Sequence, residues 1–411
     1  MRAVVVALGK VGLPLAARIA MAGHEVAGCD ISEDVVASVN AGRAPFPNEA
    51  GLDEALSEAT QAGLFKAGTD TVAAVAQGAD LIVAVPPLLV DGDAKPDWAI
   101  LDTVVADIGR GLKAQEPPTV VSIETTVPVG TTRNRIAKAL EKASGLEAEK
   151  DFFCVFSPER VYSGRVLEDL DNYPKLVGGC SAPGEARAVE LYGSFLKAEV
   201  WEMGSAEAAE LAKLAETTYR DINIAFANEL ARHADDLGID IRRVIDASNS
   251  QPFSHIHRPG VAVGGHCIPV YPRFFESGAT DARIPGLARE VNEAMPAYAV
   301  RLLGDVKGKR VLILGVAYRG GVKETAFSGA FALRDVLKGA GATALAADPL
   351  YSDDELAALG FEPWDGKTVD SAIVQADHAE YADLDIDAEL VVDGRGIVEN
   401  FAGEVRRIGS P

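Results

Sequence analysis

The 411-residue chain predicts an α/β protein, with two parallel-sheet domains joined by a central helical domain. Three observations carry this reading. Apolar runs alternate with helical patterns through the first 200 residues, as in a parallel sheet covered on both faces. A proline-free helical pattern then fills about 205–237. Beyond "GDVKGK" the strand–helix alternation starts again. The length exceeds one ordinary core, so two or three domains are expected. The boundaries read as 1–203, 204–304 and 305–411.

Each element has its own signal. Strands are expected at "RAVVVAL" (2–8), "HEVAGCD" (24–30), "ADLIVAVP" (79–86), "TVVSIETT" (119–126) and "DFFCVFSP" (151–158), with a helix over about 13–22 after the first. Ser205 is placed to cap the long helix and Gly238 lies just past its end. At roughly 30 residues or 45 Å, that helix suits a spine between domains or a homodimer interface. Shorter helices follow at about 240–248 and 286–303. The second sheet is expected from "RVLILGVAY" (310–318), "ATALAADP" (342–349) and "AELVVDGRG" (388–396), with a helix near 328–340.

Composition excludes several classes of function. A formal charge of −22 argues against nucleic acid or an anionic membrane as partner. No run approaches the roughly 18 to 20 apolar residues a membrane span needs. "MRAVVVALGKVGLP" leads into a glycine turn, so it reads as a first strand rather than a signal peptide. The four cysteines, Cys29, Cys154, Cys180 and Cys267, are far apart and form no CxxC pair. That disfavours structural zinc and a disulfide framework, leaves no metal site, and fits a cytoplasmic protein.

"ALGKVGLPLAARIAMAGHEVAGCD" sets Gly9 and Gly12 between a strand and a helix, with Asp30 ending the next strand. This is the Rossmann-like arrangement that seats a pyrophosphate on a helix N-terminus and offers an acid to ribose hydroxyls. Ala7 stands where the fingerprint has its first glycine. Asp30, with no basic residue close behind it, favours NAD over NADP.

"GGHCIPVYP" (264–272) sets Cys267 apart from the other three cysteines. Gly264 and Gly265 open conformations closed to other residues and admit a ligand closely. A thiol there becomes a nucleophile if its surroundings favour the thiolate. The chain resembles the UDP-glucose/GDP-mannose dehydrogenase family through this stretch and seven others: "GKVGLP", "VAVPP", "ETTVPVGTT", "SPERVYSG", "AELAKLAETTYRDINIAFANELA", "VLILGVAYR" and "VVDGRG". "GGHCIPV" is most similar to the branch acting on UDP-N-acetylhexosamines.

The resemblance implies a two-step NAD-dependent oxidation of a nucleotide-sugar C6 alcohol to the acid, with Cys267 carrying the intermediate as thiohemiacetal and then thioester. It implies that Lys213 stabilises developing charge on oxygen, that Glu159 does acid/base work and activates water, and that Thr126 helps place water or cofactor. Cofactor contacts fall on Gly9, Val11, Gly12, Asp30, Pro86 and Thr126. Substrate contacts fall on Glu159, Arg160, Lys213, Gly264, Tyr318 and Arg319, with the third domain binding the nucleotide-sugar.

The chain also departs from the family pattern. Tyr271 stands where relatives carry aspartate, Thr217 where asparagine is usual, and Ala326 and Phe327 where an Arg-Glu pair is usual. Gly320 and Gly321 replace Pro-Asn. A phenol with an ordinary pKa near 10 brings no negative charge at neutral pH. Either Glu159 handles water alone in a reshaped pocket, or hydrolysis is weakened and the reaction halts early. A two-electron dehydrogenase and a non-catalytic nucleotide-sugar-binding protein are the rival functions.

Overall fold

The opening apolar run forms strand β1, Arg2–Val6, with its last four residues buried. In chain order it is followed by β2 (Glu25–Cys29), β3 (Phe65–Gly68), β4 (Leu81–Ala84), the short antiparallel pair β5 (Leu89–Val90) and β6 (Pro96–Asp97), β7 (Thr119–Ile123), β8 (Phe152–Phe156), β9 (Lys175–Gly179) and β10 (Val200–Glu202). Eight of these form one sheet in the order β10-β9-β8-β7-β4-β1-β2-β3. Every pairing is parallel except β8 with β9, where the chain reverses. β4 and β7 are buried along their whole length, as strands covered on both faces must be.

This computed structural model describes residues 1–47, 49–91, 95–162, 164–279 and 281–410. Ser163 of the "SPERVYSG" stretch lies outside them. The chain divides into two compact units, Met1–Ala215 and Glu216–Pro411.

The second unit holds β11 (Arg310–Leu314), β12 (Thr343–Ala347), β13 (Glu362–Pro363), β14 (Ser371–Val374), β15 (Leu390–Asp393) and β16 (Glu404–Arg407). They form an all-parallel sheet ordered β13-β12-β11-β14-β15-β16. Relative to their first strands, both sheets run third, second, first, fourth, the order that reverses direction between strands one and four. Sequence alone left out β3, β5, β6, β9, β10, β13, β14 and β16. They lack the longer apolar runs by which β1, β4 and β7 stand out.

The long helix spans Ala206–Leu237. Ser205 caps it by accepting the Ala208 N–H at 3.1 Å, and Gly238 leaves it at a left-handed φ of 66°. The stretch expected as one helix over 286–303 is two, Ile284–Glu293 and Met295–Leu302. Pro296, in the first turn of the second, has no N–H to continue the first.

Candidate active site

The first glycine turn has the shape a dinucleotide needs. Ala7 takes a φ of 75°, and its N–H donates to Cys29 O at 2.8 Å. Gly12 is obligatory, because a Cβ there would lie 2.0 Å from the Ala7 carbonyl oxygen. Above Gly9 the space is open, with no atom within 4 Å of where a Cβ would stand. The helix Gly12–Met21 starts at Val11 and points its first N–H groups toward the turn. Asp30 ties the turn to β2: its carboxylate accepts the Leu8 N–H at 2.9 Å and the Ser32 N–H at 3.0 Å. A pyrophosphate over Gly9 and a ribose beside Asp30 fit this cradle.

Three neighbouring strands, β4, β7 and β8, deliver Pro86, Thr126, Glu159 and Arg160 beyond their carboxyl ends. Pro86 follows β4, and its carbonyl accepts the Thr125 hydroxyl. Thr126, buried, follows β7. Glu159 and Arg160 follow β8. The reversal into β9 brings its first residue, Lys175, to the same end of the sheet. Lys175 Nζ lies 2.9 Å from Glu159 and 2.9 Å from Glu124. Tyr192 donates its hydroxyl to the other oxygen of Glu124. Glu124 and Lys175 are 2% and 4% exposed. Burial pushes the Glu124 carboxyl up to about 6 against the pull of Lys175, with Glu159 adding to the rise. Burial alone would lower the Lys175 ammonium, but the two carboxylates outweigh it and hold it above its usual range.

Lys213 is buried on the long helix, at 8% exposure, and is no surface lysine. One turn earlier on that helix, fully buried Glu210 accepts the N–H groups of Gly130 and Thr132, at 2.5 and 2.8 Å. It also accepts the Thr132 hydroxyl at 2.6 Å. Its burial raises the carboxyl to about 7 despite these donors. Glu210 thereby fixes the "VPVGTT" turn that follows Thr126.

In the second unit, Cys267 is the exposed cysteine of the chain, the other three being buried. Its loop is shaped by close packing on Tyr318. A Cβ on Gly264 would come within 2.7 Å of Tyr318 Cβ, and one on Gly265, at φ 92°, within 3.1 Å of the Tyr318 ring. The Gly265 N–H donates to Ala326 O at 2.8 Å. Ala326 therefore contributes its backbone here, which the missing arginine does not alter. His266 Nε2 lies 3.6 Å from Glu324. Tyr271 opens the helix Tyr271–Gly278, donating its N–H to Cys267 O at 2.9 Å, with its ring 5.8 Å from that of Phe274. The Arg319 guanidinium lies 5.8 Å from the Tyr318 ring centre.

The turn carrying Tyr318 and Arg319 repeats the device of the first sheet. Gly315, at φ 97°, donates its N–H to Ala347 O at 2.8 Å. Asp348, just past β12, accepts the N–H groups of Val316 and Ala317 at 2.7 and 2.8 Å. Here the acid is shut in: its side chain is fully buried and paired with His378 Nε2 at 3.2 Å. Hydrogen bonds from His378, Val316, Ala317 and Leu350 outweigh burial and hold its carboxyl below the usual range.

Comparison with known proteins identifies this arrangement. Residues 1–196 match the NAD binding domain of the UDP-glucose/GDP-mannose dehydrogenase family, and residues 207–294 match its central domain. The chain belongs to this family. It is 32% identical to a UDP-N-acetyl-D-mannosamine dehydrogenase of Pyrococcus horikoshii, across 97% of this chain and 96% of that one. It is 31% identical to an NDP-N-acetyl-D-galactosaminuronic acid dehydrogenase of Ralstonia solanacearum, across 96% and 95%. The solved UDP-D-ManNAc dehydrogenase of P. horikoshii superposes with a TM-score of 0.89 at 30% identity, covering 100% of this chain and 99% of that one. A UDP-glucose dehydrogenase of Pyrobaculum islandicum also gives 0.89, at 28% identity, with 100% and 98% covered. The chain is thus an NAD-dependent nucleotide-sugar dehydrogenase. Among the described residues no helix is long and apolar enough to cross a membrane, and no cluster of ligands suits a metal ion.

Sequence reasoning missed Glu124, Lys175, Tyr192 and Glu210. Glu124 opens the "ETTVPVGTT" stretch, of which only Thr126 was singled out. Lys175 had a readable signal, a lysine directly before the apolar run "LVGG".

Proposed function

We propose that this dehydrogenase oxidises the C6 alcohol of a UDP-N-acetylhexosamine to the uronate in two steps, through a covalent adduct on Cys267. The observation that carries this reading is the exposure of Cys267 on a glycine-shaped loop while Cys29, Cys154 and Cys180 are buried. A thiol kept accessible in this way serves a four-electron oxidation and has no use in a two-electron one.

Bound NAD+ supplies the hydride acceptor for each oxidation, held by Gly9, Val11, Gly12, Asp30, Pro86 and Thr126. Lys213 offsets negative charge as it develops on the C6 oxygen. The Cys267 thiol adds across the aldehyde, sulfur to carbon and proton to oxygen, which keeps the aldehyde from escaping. Loss of the second hydride from C6, together with the hydroxyl proton, turns the thiohemiacetal into a thioester. Glu159 takes the proton of the water that releases the acid and returns the thiol. Arg160, Gly264, Tyr318 and Arg319 hold the nucleotide-sugar, with 305–411 as its binding domain. Tyr271 brings no carboxylate, so Glu159 carries water activation.

The reading extends to a cytoplasmic homodimer formed through the long helix. Tyr219 and Phe226, seven residues apart on it, are 56% and 50% exposed, and four free cysteines suit a reducing compartment.

Incubation with a panel of nucleotide sugars and NAD+, followed by mass spectrometry, tests the chemistry. Two NADH per uronate are expected, fastest with a UDP-N-acetylhexosamine. Cys267→Ser is expected to lower acid formation by on the order of 10³-fold and to abolish the protein-bound acyl adduct. One NADH per sugar, or a serine variant as fast as the parent, would sink the thioester.

A further inference from the structure

Lys175 is an ammonium group where water scarcely reaches, 4% exposed and midway between two carboxylates at 2.9 Å each. Behind it, Glu124 also accepts the Tyr192 hydroxyl, and Ser122 Oγ lies 2.8 Å from that phenol oxygen. Removing such charges from water costs several kcal/mol per ion, and well-packed apolar residues often replace buried ion pairs without loss. Stability alone gives little reason for the cluster. Its outer member, Glu159, is the one to which the reading above gives a chemical step.

We propose that Lys175 is the positioning residue for Glu159, with Glu124 as its counter-charge, and that the pair sets how tightly Glu159 holds a proton. This rests on the reading of Glu159 as the base. The backbone supports it: Val155 pairs with Gly179 and Phe156 with Gly178 in the reversed ladder, a register that carries on to set Glu159 opposite Lys175. Among the described residues, the charges facing Glu159 are Lys175 from β9 and, beyond it, Glu124 from the end of β7. Arg160 adjoins it in sequence, with a guanidinium nitrogen 3.4 Å from Pro174 O, and Tyr192 adds a neutral phenol. With all in place, Glu159 faces an ammonium that Glu124 already half neutralises. Without the ammonium it faces a like charge and holds its proton more tightly. Without the Glu124 charge it faces a bare cation and holds its proton less tightly. The two changes therefore have opposite signs, which a purely structural role would not produce.

The test is the pH dependence of NADH formation by the full chain, with the faster of UDP-N-acetyl-D-mannosamine and UDP-N-acetyl-D-glucosamine. Lys175→Met is expected to move the acid limb of kcat/KM up by roughly 1 pH unit, and Glu124→Gln to move it down by roughly 0.3 units, the smaller step because Glu124 is itself partly protonated near pH 6. Lys175→Arg should restore the parent profile, and the KM for NAD+ should stay unchanged throughout. Limbs that stay put, or that move in the same direction, overturn the proposal. If circular dichroism shows Lys175→Met unfolded, the downward shift in Glu124→Gln decides alone, and its absence is a refutation. Glu159→Gln separates the two claims. Parent rates in that variant overturn the reading of Glu159 itself, whereas an inactive Glu159→Gln beside unmoved limbs overturns only the role of Lys175.

Discussion

Ala7 holds a backbone conformation that suits glycine. Its φ of 75° matches the glycine at the corresponding point of the second sheet, Gly315 at 97°. There a Cβ would strike Ala376 at 2.4 Å, so glycine is enforced, whereas Ala7 tolerates its methyl at the cost of a left-handed backbone. That cost is roughly 1–2 kcal/mol, partly offset because alanine leaves the unfolded chain less freedom. Ala7→Gly is therefore expected to raise the unfolding free energy by about 0.5–1 kcal/mol in urea titrations. A loss of stability instead would show that the methyl is needed for packing. In the sequence, Ala7 looks like a broken fingerprint, because the motif records residue type while the turn depends on φ. Cys267 was legible for the complementary reason. Its glycines and prolines are local, and local constraint is what a sequence displays.

Among the elements, the first turns of the long helix act as a clamp. Glu210 satisfies two backbone N–H groups and a hydroxyl at the start of the segment Thr132–Ala137, and Glu207 pairs with Arg133 beside it. Glu210→Ala would leave those buried donors without an acceptor, with an expected loss of roughly 2–4 kcal/mol in denaturant unfolding. Glu210→Gln, which keeps an acceptor, should lose about half as much. Equal losses would mean that the negative charge, rather than the hydrogen-bond geometry, holds the turn. The long helix and its Ser205 cap were legible because a 3.6-residue period sustained over 32 residues leaves little ambiguity. β9 was not legible. Its direction depends on pairing with β8, a contact made through space, and with it the meeting of Lys175, Glu124 and Glu159 was hidden as well.

For the whole molecule, buried carboxyls set the response to pH. Burial lifts Glu124 to about 6, Glu210 to about 7 and Asp221 to about 6, the last despite Arg289 and Asn292 beside it. All three stand above their unfolded values of 4.5, 4.5 and 3.8, so the folded chain takes up protons more readily. Their contribution to stability is complete below about pH 4 and is lost as pH rises through 6 to 7. The net charge of −22 works in the same direction, since self-repulsion eases as carboxylates are protonated. Between pH 8 and pH 5.5 the melting temperature is expected to rise by a few degrees in calorimetric scans. A steady fall over that range would mean these groups stay ionised and gain from their partners.

The two sheets share a strand order and a turn device, but they differ in what becomes of the acid after the second strand. Asp30 keeps a margin toward solvent, while Asp348 is locked behind an imidazole and three amide hydrogens. In the C-terminal half the same kind of turn is closed off, and its acid braces the loop from within. The buried carboxylate instead holds the backbone just ahead of Tyr318 and Arg319 in one conformation.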